Sequence, residues 1–187
     1  MITVFLDANV LYPPTLRSVL LELAHADLYA ARWSEEVHRE WMRSLAEKRP
    51  TLPPAAIVRI RTLMETYIGD VSVTGYEALI TMLTLPDPDD RHVLAAAIHG
   101  KASVIVTSNL KDFPPAVLAP YQITAQHPDA FVLSILKHDA EGLALALAAN
   151  RADLRNPTLS VDSYLAMLER GGLPETVAAL SQLKDLL

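Results

Sequence analysis

The sequence predicts an α/β protein with a parallel sheet, followed by a helical C-terminal segment. Short apolar, β-branched runs at 2–6 and 103–106 are typical of buried strands. Stretches with the apolar spacing of helices lie between these runs, and strands that alternate with helices favour a parallel sheet with crossover helices. Beyond His127 the pattern is helical only.

Capping residues and chain breakers place the elements of the first half. Residues 2–6 form the first predicted strand, and apolar residues from Leu16 onward follow helical spacing. Ser34 is a suitable N-cap for a second helix. The apolar stripe of that helix consists of Val37, Trp41 and Leu45. Prolines at 53–54 start a third helix, which runs to about residue 67.

The middle of the chain combines short strands with one well-defined helix. A helix or turn opens at Gly75, and Asp89 or Asp90 caps a helix over 93–99. Gly100 ends that helix at the C′ position. The strand candidates of this region are 71–73, 103–106 and, with a weaker pattern, 121–125.

Four helices are predicted in the last third, over 129–137, 140–151, 160–170 and 175–186. Pro157 and the pair at 171–172 mark the joints between them. We therefore divide the chain into an α/β domain over 1–138 and a helical extension over 139–187, packed on or beside it. An apolar stripe of the extension either packs internally, which we favour, or offers a docking surface to another chain. Its members are Leu165, Leu168, Leu173, Val177 and Leu180.

Composition narrows the class of protein. The chain has 187 residues, of which 51% are hydrophobic, so one domain can bury a sizeable core. The absence of cysteine excludes disulfides and thiolate metal sites. No apolar run approaches the roughly 18 residues that a membrane span needs, and the N-terminus lacks a basic region. We expect a soluble, cytoplasmic protein.

The formal net charge is −6, with a pI near 5.4. Proteins that bind nucleic acid through bulk electrostatics are usually basic, so this charge argues against that class. The argument is weaker if several carboxylates bind metal ions, because bound cations cancel their charge locally.

Acidic residues occur where a parallel sheet would bring them together. Asp7 follows the first strand directly, and the polar segment 107–112 follows a later strand in the same way. Ligands of open α/β sheets bind beyond the carboxyl ends of the strands. Mg²⁺ takes oxygen ligands in near-octahedral geometry, so carboxylates that converge at this edge suit a hard divalent cation.

Two of these signals also have purely structural interpretations. Asp7 could form a turn with its own backbone, although Asn9 could equally hold the Asp7 carboxylate in orientation. One acid of the cluster that ends at Asp90 must serve as an N-cap. Three neighbouring carboxylates repel one another, however, and a cation would relieve that repulsion. We favour Asp90 as the ligand, supported by Asp87 or Asp89.

Other polar groups remain open to interpretation. The segment 107–112 is either functional or an ordinary polar loop, and its polar side chains include Thr107, Ser108, Asn109 and Asp112. Glu40 borders the buried stripe of its helix and, considered alone, suggests a surface residue. Arg91 and His92 either touch a phosphate or lie on the helix surface.

In this order, the motifs resemble a PIN-domain ribonuclease and, more narrowly, the VapC-type toxins of bacterial toxin–antitoxin pairs. The motifs are Asp7-Ala8-Asn9, Glu40 in an early helix, Asp90 before Leu94-Ala95-Ala96-Ala97, and Thr107-Ser108-Asn109-Leu110-Lys111-Asp112-Phe113. The resemblance covers roughly 1–128. It implies a three-layer α/β/α fold with a short central parallel sheet, here with a C-terminal helical extension. It also implies an RNA substrate, a cognate antitoxin protein and a possible homodimer.

The resemblance further implies which residues act. The acidic catalytic site, which would hold Mg²⁺ or Mn²⁺, would consist of Asp7, Glu40, Asp90 and Asp112. The substrate would be positioned by Asn9, Thr107, Ser108 and Asn109. Many members of the family have an Asp where Asn109 stands. Both Asn109 and Asp112 are therefore candidates for the fourth metal-site residue.

The leading hypothesis is metal-dependent hydrolysis of RNA phosphodiester bonds, in which the cation polarises the phosphate and lowers the pKa of the attacking water. Glu40 would be a ligand or a base that orients the water. Mutual repulsion predicts raised pKa values for the clustered carboxylates.

One alternative is a non-catalytic protein-binding module with a vestigial acidic pocket. The other is a metal-dependent phosphatase with Asp7 as nucleophile, which is disfavoured because enzymes similar to the haloacid dehalogenase group have a second Asp where Asn9 stands.

Overall fold

A computed structural model describes residues 1–69, 71–155 and 158–187. Its centre is a five-stranded sheet of order β3-β2-β1-β4-β5, in which every neighbouring pair is parallel. The strands are β1 (Thr3–Leu6), β2 (Ala30–Ser34), β3 (Ser72–Val73), β4 (Val104–Val106) and β5 (Thr124–Gln126). Helices cover both faces of the sheet, which confirms the predicted three-layer α/β/α fold.

Helices connect successive strands, and the chain after β5 forms further helices. Those that follow β1 through β4 are α1 (Ala8–Leu11), α2 (Pro14–His25), α3 (Glu35–Lys48), α4 (Pro54–Ile68), α5 (Glu77–Ile80), α6 (Arg91–His99) and α7 (Pro115–Leu118). Those after β5 are α8 (Pro128–His138), α9 (Ala140–Asp153), α10 (Val161–Arg170) and α11 (Pro174–Leu180). Single 3₁₀ turns occur at Pro88–Asp90, Leu110–Asp112, Ala119–Tyr121 and Lys184–Leu186.

The central pair of strands sets the position of the functional edge. Leu6 of β1 is in register with Val106 of β4, and the Asp7 amide donates to the Val106 carbonyl at 3.1 Å. Because the strands are parallel, the residues that follow each strand emerge at the same edge of the sheet. Asp7 and Thr107 are therefore neighbours, although 100 residues separate them.

Sequence patterning missed the strand β2, so the predicted strand over 71–73 is the third strand of the chain rather than the second. It also predicted neither of the short helices α1 and α7. β2 lies between β1 and β3, and its burial alternates through Arg32, which is only partly buried. A strand of this composition lacks the continuous apolar run expected in a parallel sheet. Trp33 of β2 and Trp41 of α3 are both fully buried and belong to the core.

The end of α6 differs in detail from the prediction. Gly100 is the C-cap, with φ of −75°, and the left-handed conformation falls on Lys101, with φ of 54°. Glycine is needed at position 100 for space, since a Cβ there would lie 2.8 Å from Val73 Cγ2. The close approach of α6 to β3 therefore explains this glycine.

The last three helices pack against α2 and α8. Asn150 of α9 donates to the Ser18 hydroxyl of α2 at 2.8 Å and accepts from the Tyr164 hydroxyl at 2.9 Å. The predicted apolar stripe packs internally, because Leu165, Leu168, Leu173 and Leu180 are buried and Val177 is partly buried.

In the last third of the chain, some element boundaries differ from the predicted ones. The last predicted helix ends early, at Leu180, and the weak strand over 121–125 lies further along the chain as β5. Pro157, predicted to mark a joint, lies outside the described residues. Among the described residues, no helix is long and apolar enough to cross a membrane.

Candidate metal centre and active site

Asp7 is fixed in orientation by hydrogen bonds from both strand ends. Its Oδ1 accepts from the Ala8 amide at 2.6 Å. Its Oδ2 accepts from the Thr107 hydroxyl at 2.7 Å and from Asn9 Nδ2 at 2.5 Å. Thr107 is fully buried, so its hydroxyl orients Asp7 beneath the surface of the site.

The Asp7 carboxyl is almost completely shielded from water. Burial raises its pKa, and the negative charge of Glu40 acts in the same direction. The hydrogen bonds from Thr107 and Ala8, with the charge of His92, oppose this rise without cancelling it. Burial is thus the main cause of the raised pKa here, ahead of the repulsion between acids that the sequence predicts.

A second group of acids converges beside Asp7. Carboxylate oxygens of Asp87, Asp90 and Asp112 all lie within 4.8 Å of one another. Asp90 also faces the same cleft as Asp7 and Glu40. Of the two acids predicted to support Asp90, Asp87 belongs to this group of three and Asp89 does not.

Asp90 is held at the start of α6 without being used as a cap. The capping bond in this loop comes from Asp87 Oδ1, which accepts from the Asp89 amide at 2.9 Å. Asp90 occupies the N-cap position of α6 but makes no side-chain capping bond. Its buried Oδ2 has no hydrogen-bond partner among the described residues.

The environment of Asp90 strongly favours the neutral acid. Burial, the largest cause, and the negative charges of Asp7, Asp87, Asp112 and Glu40 together raise its pKa to about 7. A carboxylate so disfavoured, with one oxygen unpartnered, is a site where a cation would be stabilising.

Glu40 approaches the centre from α3 and pairs with a histidine of α6. Its Oε1 lies 2.9 Å from His92 Nε2. Burial lowers the pKa of His92, but the hydrogen bond and charge of Glu40, with further help from Asp7, outweigh that effect and raise it. His92 is buried, so it is not the helix-surface residue that remained one interpretation of the sequence.

The loop after β4 supplies the last predicted residues. Asn109 Nδ2 donates to Asp112 Oδ2, and Asp112 is the member of the pair that joins the acidic group. The Ser108 amide donates to Asn9 Oδ1 at 2.9 Å, while the Ser108 side chain is exposed. Asn9 and Asn109 therefore brace the two strand-end loops.

Of the residues described above, Asp7, Asn9, Glu40 and Asp90 line a cleft of about 370 Å³. Its lining consists of Asp7, Ala8, Asn9, Tyr12, Glu40, Arg43, Ser44, Lys48 and Asp90. A groove of about 450 Å³ between α2, α4 and α9 lies elsewhere and is mostly apolar.

The donor set fits a hard divalent cation. Carboxylate oxygens are the ligands that Mg²⁺ prefers, and the group combines three converging acids with the unpartnered Asp90 Oδ2. Histidine and cysteine ligands, which softer metals favour, are not part of the group.

Sequence reasoning left His92 between two interpretations, and left Asp87 and Asp89 as alternative supports for Asp90. Asp87 and His92 lie on either side of Asp90 in the sequence, and an N-capping role would by itself explain an aspartate at position 87. The useful signal was spacing: His92 and Asp90 lie on the same turn, so one helix start directs both toward the ends of the strands.

Comparisons with known proteins agree with this geometry. A family model described as "PIN domain" matches residues 3–111, which is more than half of the chain. A model described as "VapC50 C-terminal domain" matches residues 128–182. Over 62 residues the chain is 55% identical to "Putative ribonuclease VapC50" of Mycobacterium tuberculosis (strain ATCC 25618 / H37Rv). That match covers 33% of this chain and 36% of the relative, about a third of its length. No solved structure matches.

Proposed function

The chain belongs to the PIN-domain family, and on this premise we propose that it is a metal-dependent endoribonuclease, the toxin of a type II toxin–antitoxin pair. The observation that carries the proposal is the convergence of Asp87, Asp90 and Asp112 beside Asp7 and Glu40. The match to a relative whose name reads ribonuclease supports RNA as the substrate.

We assign Asp7, Glu40, Asp90 and Asp112 to the site that holds Mg²⁺ or Mn²⁺, with Asp87 in support. A bound cation would supply Lewis acidity toward the scissile phosphate and lower the pKa of water. The remaining chemistry belongs to the chain. Thr107 and Asn9 hold Asp7 in one orientation, and Asn109 does the same for Asp112.

Glu40 is assigned a second task, that of accepting and holding a proton. Its partner His92 can share that proton, because Glu40 Oε1 and His92 Nε2 lie 2.9 Å apart. The pair would accept a proton from an attacking water at the edge of the cleft. Which of the two atoms carries the proton depends on the histidine tautomer.

The alternative in which Asp7 is the nucleophile of a phosphatase loses support. Both oxygens of Asp7 accept short hydrogen bonds, and the side chain is buried. A nucleophilic carboxylate needs a free oxygen aimed at phosphorus. Release of inorganic phosphate from a simple phosphomonoester, with RNA left intact, would overturn the nuclease proposal.

The direct test is incubation of purified protein with transfer and ribosomal RNAs, with and without Mg²⁺ or Mn²⁺, followed by end mapping. Asp90→Asn and Asp7→Asn should each lower cleavage more than about 100-fold, because even supporting residues of metal ligands cost about 10–100-fold. Asp89→Asn is the matched control, an exposed acid of the same loop. Cleavage that persists in EDTA, or in both variants, would contradict the proposal.

The toxin assignment has its own test. Expression of the wild-type chain should arrest growth of a bacterial host, and Asp90→Asn should not. A small reading frame beside this one should encode an antitoxin that restores growth when it is co-expressed. Growth arrest by Asp90→Asn that equals the wild type would separate toxicity from RNA cleavage and contradict the assignment.

A further inference from the structure

One wall of the catalytic cleft is basic in an otherwise acidic protein. Arg43, Ser44 and Lys48 of α3 line the same cleft as Asp7 and Asp90. The formal net charge of the chain is −6. Arg43 and Lys48 thus place two positive charges beside the acidic cleft of a protein whose net charge is negative.

Helix geometry explains why these residues share a wall with Glu40. Positions three and four apart on a helix face the same side, so Glu40, Arg43 and Ser44 are neighbours. Lys48 continues the stripe by one more turn. At a rise of about 1.5 Å per residue, Arg43 and Lys48 lie roughly 7.5 Å apart along the axis, which is comparable to the spacing of successive phosphates in an extended single strand.

The two basic side chains are not committed to ion pairs. Arg43 is exposed and has no hydrogen bond or ion pair with any residue that the structure describes. By contrast, Arg39 of the same helix bonds Glu36 at 2.6 Å. Lys48 Nζ lies 4.5 Å from the centre of the Tyr12 ring, a cation–π contact that restrains the ammonium beside the cleft.

RNA that enters this cleft brings negative charge toward several carboxylates. A cation at the centre offsets that repulsion only locally, so adjacent phosphates need partners of their own. We propose that Arg43 and Lys48 bind two successive backbone phosphates of single-stranded RNA beside the scissile phosphate, and that Tyr12 positions Lys48. This inference rests on the proposed ribonuclease function.

Phosphate contacts have a recognisable signature. They carry no sequence information, so their loss weakens the binding of all sequences alike. They also release counterions, and each contact to a single strand contributes about 0.7 to the slope of log K against log salt. Contacts to base edges would instead discriminate between sequences.

The test compares two double variants that remove the same charge from α3 and the residue that follows it. Arg43→Ala with Lys48→Ala removes the basic wall, whereas Arg39→Ala with Arg49→Ala removes two exposed cations that do not line the cleft. Both are made in an Asp90→Asn background, which prevents cutting, and binding of short single-stranded RNAs of mixed sequence is followed by fluorescence anisotropy across a range of KCl. Relative to the Asp90→Asn parent, the wall variant should bind about tenfold more weakly and lose about 1.4 from the salt slope, and the control should keep the slope of the parent.

Kinetics and metal binding complete the test. In the active protein, loss of the wall should raise KM with little change in kcat, and Mn²⁺ affinity measured by electron paramagnetic resonance should stay constant. Arg43→Lys with Lys48→Arg keeps both charges and should restore binding.

The outcomes separate this inference from the function on which it rests. Normal RNA binding by the wall variant would overturn the inference while wild-type cleavage leaves the ribonuclease assignment intact. A fall in Mn²⁺ affinity, or loss of binding to a partner protein with RNA binding unchanged, would also overturn it. A wild-type protein that neither binds nor cuts RNA would remove the proposed function and the inference together.

Discussion

At the residue scale, Asp90 is the most informative side chain of the site. It stands at the start of α6, where an aspartate usually caps the backbone, yet it makes no side-chain capping bond. The capping bond of the preceding turn is made by Asp87, which accepts from the Asp89 amide. Its Oδ2 is left buried and unpartnered within the described chain. An arrangement that leaves a carboxylate without its ordinary role costs stability in the absence of a cation.

We therefore expect the Asp90→Asn variant to be more stable than the wild type, by an amount that depends on pH. The folded-state pKa of Asp90 is about 7, above the ordinary value of 3.8. The wild-type protein therefore loses stability as pH rises from about 4 to 7, and the loss levels off above that. In EDTA at pH 8 the variant should be more stable by roughly 1–2 kcal/mol, a figure reduced because Asp90 is only half-buried. Urea unfolding at pH 4.5 and 8 measures this difference.

The matched control is Asp89→Asn, which should show no comparable dependence on pH. Added Mg²⁺ should reverse the order of stability, because the cation binds the folded wild-type protein more tightly than the variant. An equal effect of Asp90→Asn at both pH values would contradict the raised pKa.

Thr107 makes a second prediction at this scale. Its hydroxyl donates to the buried Asp7 carboxylate at 2.7 Å. Thr107→Val keeps the shape but removes the donor, so unfolding should become easier by about 1–3 kcal/mol and cleavage should fall. Thr107→Ser keeps the hydroxyl and should retain most of the activity. Wild-type stability and activity in Thr107→Val would show that the bond does not orient Asp7.

At the scale of elements, one side chain links the two parts of the chain. Asp129, in the first turn of α8, is buried and accepts from the amides of Glu175 and Thr176 at 2.8 and 2.9 Å. The Thr176 hydroxyl also donates to it at 2.7 Å. Asp129 of α8 thus accepts hydrogen bonds from the free backbone amides at the start of α11. The N-terminus of α11 is therefore stabilised only while α8 is folded beside it.

Asp129→Ala should therefore cost more than an ordinary cap. We expect a loss of about 2–4 kcal/mol, because several buried donors lose their acceptor at once. Asp139→Ala is the comparison, since Asp139 caps α9 at an exposed position and should cost about 1 kcal/mol. Chemical denaturation of both variants measures the order, and equal losses would contradict the linking role of Asp129.

At the scale of the molecule, we propose that the α/β domain and the helical extension unfold as one unit. The extension is tied to α2 through Asn150 and Ser18, and to α8 through Asp129 and Thr176. Its apolar stripe is buried against the rest of the chain, so the extension would expose a large apolar surface if it detached.

Two spectroscopic probes test this cooperativity. Trp33 and Trp41, the two tryptophans, are both buried in the α/β domain and report its unfolding by fluorescence. Far-UV circular dichroism includes the helices of the extension. The two urea transitions should coincide within error. A circular-dichroism change that precedes the fluorescence change would mean that the extension unfolds separately.

The sequence predicted most elements of the fold because their signals are local. Capping by Ser34, the proline pair at 53–54 and the apolar run at 103–106 each act within a few residues, and the structure has an element at each. The strand β2 was not predicted because its residues mix apolar and polar side chains. Its place between β1 and β3 depends on pairing partners that are distant in the chain.

Sequence by itself determined the family motifs, the acidic residue types and the expectation that acids after parallel strands meet at one edge. Only the tertiary structure decided which acids converge, since side-chain distances depend on strand register and on the angle at which α3 and α6 approach the sheet. The structure grouped Asp87, and not Asp89, with Asp90 and Asp112, brought His92 to Glu40, and placed Thr107 beneath Asp7. The physical reason is that residue identity is encoded locally, whereas burial and charge–charge distance arise from packing across the whole chain.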